Sequence, residues 1–90
     1  MTSAAEIPFQ SQVELPAHHQ SVDARGLVCP LPILRAKKAL ATMSSGEVLQ
    51  VMTTDRGAVR DFQAFCRQTG NDLISQVEGA DHLVHYLRRR

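Results

Sequence analysis

Residues 29–54, CPLPILRAKKALATMSSGEVLQVMTT, decide the fold because their hydrophobic period changes partway along. From Pro30 to about Ser44 the apolar residues recur at helical spacing. Ile33, Ala36, Leu40 and Met43 share one face, Leu34 and Ala41 flank it, and Arg35, Lys38 and Thr42 lie opposite. Pro30 and Pro32 suit a helix start, since first-turn backbone N–H groups have no intrahelical partner to lose. Ser45-Gly46 closes the helix, and Glu47–Thr54 is rich in Val, Leu, Met and Thr, as a central strand would be. An amphipathic helix that runs into an apolar strand predicts a helix packed on a sheet.

The same reading extends in both directions. Ser21–Arg25 is a short strand that leads through Gly26-Leu27-Val28 to Cys29. After the central strand, Asp55 can cap a second helix from Gly57 to about Gln68, in which Val59, Phe62, Phe65, Cys66 and Thr69 keep helical spacing until Gly70-Asn71 ends it. Leu73–Glu78 and His82–Arg88, joined by Gly79-Ala80-Asp81, form an antiparallel hairpin. The order βαβαββ predicts an α/β chain of the two-layer, α+β sandwich kind. Its four-stranded mixed sheet has right-handed crossovers and both helices on one face. The other sheet face is then left exposed. Residues 1–20 mix Pro, Ser and Gln with isolated apolar residues and sustain no period, so they are expected to be a flexible extension of a domain spanning 21–90.

Ninety residues with 43% apolar content support one small core, and a deep enclosed chamber does not fit within it. Of the 10 basic residues three are Arg88, Arg89 and Arg90, which leaves the rest of the chain with fewer bases than acids. Stable nucleic-acid binding across a broad face is therefore not expected. The first residues have no basic start and apolar core of a secretion signal, and no apolar run is long enough to span a bilayer. With only Cys29 and Cys66, a cytoplasmic, reducing location with two free thiols is expected.

Cys29 is the chemical centre of the chain. A cysteine attacks as thiolate, and the ordinary thiol pKa of about 8.5 leaves little of it at neutral pH. Cys29 stands where a loop meets a helix, and Arg25, Arg35, Lys37 and Lys38 surround it in sequence with no acid between Arg25 and Lys38. The helix dipole and these charges predict a lowered thiol pKa. Other cysteine chemistries lack their parts. No His is near Cys29 in sequence, Cys66 is too distant to be a ready resolving thiol, and His82 and His85, three apart on a strand, point to opposite faces and cannot share a metal. No metal and no cofactor is expected. A lone exposed thiol on a small scaffold suits a carrier of sulfur, by attack on a donor persulfide and later surrender to an acceptor thiol. On the pattern alone, a merely structural Cys-Pro at a helix start stays an equal alternative.

Gly26-Leu27-Val28-Cys29-Pro30-Leu31-Pro32, with Lys37-Lys38-Ala39-Leu40, Gly46-Glu47, Thr54-Asp55 and Ala64-Phe65-Cys66, resembles the TusA/SirA-like sulfur-carrier family from about Val22 to Arg88. Arg56 stands where many members carry Pro. The resemblance implies a βαβαββ sandwich and a persulfide-bearing Cys29. It also implies sulfur received from a cysteine desulfurase or rhodanese-type donor and passed to an acceptor protein in tRNA thiolation, molybdenum-cofactor or sulfur-oxidation chemistry, without independent turnover. Gly26, Pro30 and Pro32 would support the active turn. Arg25, Leu31, Arg35, Lys37 and Lys38 would meet partners. A non-catalytic adaptor on the same scaffold is the competing function. Cys66, beside Phe65 and a turn after Phe62, reads as a core residue. His18, His19, His82 and His85 read as surface residues, Phe62, Phe65 and Tyr86 as core or sheet-face residues, and Arg88–Arg90 as a frayed basic end.

Overall fold

The computed structural model describes residues 16–90, so the expected flexibility of the N-terminal extension falls mostly on residues outside that range. The elements are β1 (Gln20–Ala24), α1 (Leu31–Leu40), β2 (Val48–Thr53), α2 (Ala58–Thr69), β3 (Asp72–Glu78) and β4 (Leu83–Arg88). The strands lie in the order β1-β2-β4-β3, with β1 parallel to β2 and the other pairs antiparallel. This is the βαβαββ mixed sheet expected from the sequence. The sheet begins slightly earlier than expected. Gln20 pairs with Leu49, the His19 N–H donates to the Val48 carbonyl at 2.8 Å, and His19 Nδ1 accepts the Val48 N–H at 3.0 Å.

The alternation of β2 and β4 decides what each face does. Leu49, Val51 and Thr53 of β2 pair with Leu87, His85 and Leu83 of β4. All six are buried, and Leu49, Val51 and Leu87 pack with Ala36, Leu40, Phe62 and Phe65 in one core. Cys66 is buried in the same core, as its spacing indicated. α1 ends at Leu40 although the apolar period runs on to Met43. Thr42 and Met43 donate to the carbonyls three residues back, so the last turn tightens while Met43 stays buried.

Two expectations about the sheet need correction. His85 is not a surface residue: it has no exposed area and stacks on Phe62 with ring centroids 4.7 Å apart. Period 2 turns position 85 towards the helices, and local polar partners make that burial tolerable. Gln76 Nε2 lies 3.0 Å from His85 Nδ1 and Thr53 Oγ1 lies 2.8 Å from Nε2. The face away from the helices is also less open than expected. Tyr86 points that way yet is fully buried, with Gln50 Nε2 donating to its hydroxyl at 3.0 Å and the His18 ring tilted against it.

The candidate thiol site

Cys29 lies in the connection between β1 and α1, at the end of the sheet where the parallel strands β1 and β2 finish. Gly26 turns the chain there with φ of +82°, in the region that disfavours side chains. Its N–H donates to Thr54 Oγ1 at 2.8 Å, which ties this loop to the end of β2. The next residues tighten into the helix, with the Leu31 N–H on the Val28 carbonyl and the Leu34 N–H on the Pro30 carbonyl. The Cys29-Pro30 peptide is cis, Pro30 is exposed and Pro32 is buried against the domain.

Asp55 holds Cys29 from the second connection. One carboxylate oxygen accepts the Cys29 N–H at 3.0 Å and the other accepts the Gly57 N–H at 3.1 Å. The residue expected to cap the second helix does not do so: the N-cap is Gly57, which has no side-chain cap, and Asp55, two residues earlier, instead clamps the cysteine backbone to the entry of that helix. The same turn brings up Asp61, whose backbone N–H bonds the Gly57 carbonyl.

Asp61 and Asp55 reverse the expected electrostatics. The Cys29 thiol is pushed up from its ordinary pKa, first by the Asp61 carboxylate, which favours the protonated thiol, then by partial desolvation and by the charge of Asp55. The lowered pKa expected from the helix dipole fails for a countable reason. A helix start offers four free N–H groups, but Pro30 and Pro32 have none and that of Leu31 is taken by Val28. The basic residues do not gather at the sulfur either. Arg25 forms a two-pronged ion pair with Asp23, each contact 2.8 Å, and that pairing lowers the Asp23 pKa to about 2. Lys37 and Lys38 sit in the last turn of α1, at its far end, and Arg35 is exposed on the same helix. Of the partner-recognition candidates, Leu31 stands exposed two residues after the cysteine, Arg25 is engaged by Asp23, and Arg35, Lys37 and Lys38 lie further along α1. Asp61 was missed, and Asp55 was read only as a helix cap and part of the family motif. Nothing in the sequence pattern says that Cys29 lies across from these two acids at the mouth of the second helix.

Three of the four large apolar side chains exposed among the described residues flank this turn: Val28 at 64%, Leu31 at 44% and Leu34 at 53%. The two thiols differ accordingly. Cys29 is exposed, whereas Cys66 is buried, and burial pushes its thiol up to about 11, away from the thiolate. Among the described residues, no group of three or more His, Cys, Asp or Glu is placed to hold a metal ion, and no helix is long and apolar enough to cross a membrane.

Comparison with known proteins places this geometry. Residues 20–89 match the family described as sulfurtransferase TusA. The chain is 63% identical over 72 residues to the sulfur carrier protein TusA of Allochromatium vinosum, covering 79% of this chain and 92% of that protein. It is 61% identical over 67 residues to a putative sulfur carrier protein of Neisseria meningitidis, covering 72% and 90%. Among solved structures, the SirA-like protein of Desulfitobacterium hafniense superposes with a TM-score of 0.67 at 28% identity, covering 78% of this chain and 95% of that one.

Proposed function

Because the chain belongs to the TusA sulfurtransferase family, we propose that it is a sulfur carrier whose cargo rides on Cys29. The observation that carries this reading is the contrast between its two thiols. Cys29 stands exposed on a braced turn amid exposed Val28, Leu31 and Leu34, while Cys66 is sealed in the core. The sulfur of Cys29 attacks the terminal sulfur of a donor persulfide, the donor's S–S bond breaks, and the donor sulfur leaves as a thiol that takes the proton Cys29 gives up. The products are a persulfide on Cys29 and a donor thiol. Repeating the exchange with an acceptor thiol returns Cys29 to its starting state, so no outside oxidant or reductant is needed.

The raised thiol pKa fits a relay between proteins. In the free protein Asp61 and Asp55 favour the protonated, less reactive thiol. A docked partner that covers the apolar rim and neutralises those acids restores the thiolate where transfer occurs. The donor is a protein of the cysteine desulfurase or rhodanese type, the acceptor is a second protein, and two free thiols suit the cytoplasm. The test is mass spectrometry after incubation with a cysteine desulfurase and cysteine. The wild type and Cys66→Ser should gain about 32 Da, one sulfur, on Cys29, and Cys29→Ser should gain none while keeping its fold. Absence of loading on folded wild-type protein would instead favour the adaptor reading.

A further inference from the structure

At the end of the helices opposite Cys29, a groove of about 190 Å³ opens between the last turns of α1 and α2 and the chain that follows β4. Leu40 and Phe65, both core residues, form its floor, and Lys37, Ala41, Arg89 and Arg90 stand around it. The basic end of the chain is not frayed, contrary to the sequence expectation. Arg89 exchanges backbone hydrogen bonds with Gly46 and Glu47 at 2.7 and 2.8 Å, and its Nε donates to the Leu40 carbonyl at 2.9 Å. The Arg90 N–H donates to Asn71 Oδ1 at 3.0 Å, and its side chain lies over Gly70, where an added Cβ would stand 3.2 Å from the Arg90 Cδ. Two basic segments far apart in sequence are thus fixed around one apolar floor.

No Asp or Glu lines this groove. Among the described residues the ion pairs engage Arg25, Arg56, His82 and Arg88, and none of them uses Lys37, Arg89 or Arg90. Arg89 already serves the carbonyl end of α1, whereas Lys37 and Arg90, which also line the groove, take part in none of the ion pairs among the described residues. We propose that the groove is a docking site for an acidic peptide segment of a partner protein, one that sets an apolar side chain on Leu40 and Phe65 between carboxylates paired with Lys37 and Arg90. Charge complementarity selects the acid, and the apolar floor selects a peptide over a nucleic acid. α1 has 10 residues at about 1.5 Å each, so the groove sits roughly 15 Å along that helix from the thiol. Exposed Leu31 and Leu34 lie on the way, within reach of one partner that also meets Cys29.

The probe is an acetylated and amidated hexapeptide, Asp-Glu-Leu-Phe-Asp-Glu, titrated into the full chain carrying Cys29→Ser and followed by amide NMR. The expected result is saturable shifts centred on Lys37, Ala41, Thr69, Asn71 and Arg90. The neutral peptide Asn-Gln-Leu-Phe-Asn-Gln should bind at least roughly tenfold more weakly, as should a folded Lys37→Glu/Arg90→Glu double variant towards the acidic peptide. Arg89 is left unchanged in that variant because it caps α1. The proposal is overturned by absence of binding, by shifts mapping elsewhere, by equal binding of the neutral peptide, or by a hexauridylate that binds these residues more tightly than the peptide. Sulfur loading does not enter the measurement, so its outcome is separate from that of the carrier reading.

Discussion

Acidification should destabilise this domain through a single buried ring. His85 has no exposed area, and burial lowers its pKa to about 4, against about 6.5 for the unfolded chain. The hydrogen-bond pattern works in the same direction. The Gln76 amide nitrogen faces Nδ1 and can only donate, so Nδ1 must accept and the proton of the neutral ring sits on Nε2, towards Thr53. Protonating Nδ1 would set two donors against each other. Gln76 cannot easily turn away, because the same nitrogen also donates to the Val59 carbonyl and its oxygen accepts from Gln63. No carboxylate is among the causes of the His85 shift, which is desolvation alone.

A base whose folded pKa lies below its unfolded value is stabilising when neutral in both states. That stability is fully present above pH 6.5 and is lost as pH falls through 6.5 towards 4. Between pH 7 and pH 5 the loss should be on the order of 1–2 kcal/mol, which for a domain of this size lowers Tm by roughly 5–10 °C. The exposed ion-paired Asp23 titrates lower, at about 2, and falls outside this window. Urea unfolding of wild type and His85→Gln at pH 7, 6 and 5 checks the account. His85→Gln should be less stable at pH 7 but show a much flatter pH dependence. Equal slopes in the two proteins, or an NMR titration placing the His85 pKa at or above 6.5, would refute the reasoning.

Asp61→Asn in a Cys66→Ser background should lower the Cys29 pKa, seen as faster iodoacetamide alkylation near neutral pH; an unchanged pH profile would show that Asp61 does not govern the thiol. Phe62→Ala removes a fully buried ring that packs on both His85 and Phe65, and should cost about 3–5 kcal/mol in denaturant unfolding. Gly26→Ala meets open space but keeps a φ of +82°, so a cost of about 1–2 kcal/mol should come from backbone strain alone, with sulfur loading retained.

Local periodicity was enough to read the order of elements, because each helix and strand of this chain carries its own hydrophobic pattern and its own punctuation. The Ile33, Ala36 and Leu40 stripe of α1, the Val-Leu alternation of β2 and the glycines at 46 and 70 each act within a few residues. The Cys-Pro-Leu-Pro turn was legible for the same reason. What the side chains meet across the fold was not. His85 looked like a surface histidine until strand pairing set Thr53 and Gln76 on its two nitrogens. Cys29 looked set in a positive field because its sequence neighbours are basic. Electrostatics follows distance in space, however. The parallel pairing of β1 with β2 puts the connection that follows β2 against the one that follows β1, bringing Asp55 onto the Cys29 backbone and the charges of Asp55 and Asp61 to bear on its thiol. The helix that starts at the cysteine carries Lys37 and Lys38 away to its far end, and only the closed sheet brings Lys37 to Arg89 and Arg90. The sequence by itself thus determined the scaffold and the position of the thiol. The charge around that thiol was decided by tertiary structure, since Coulomb interactions and desolvation depend on neighbours that chain closure alone supplies.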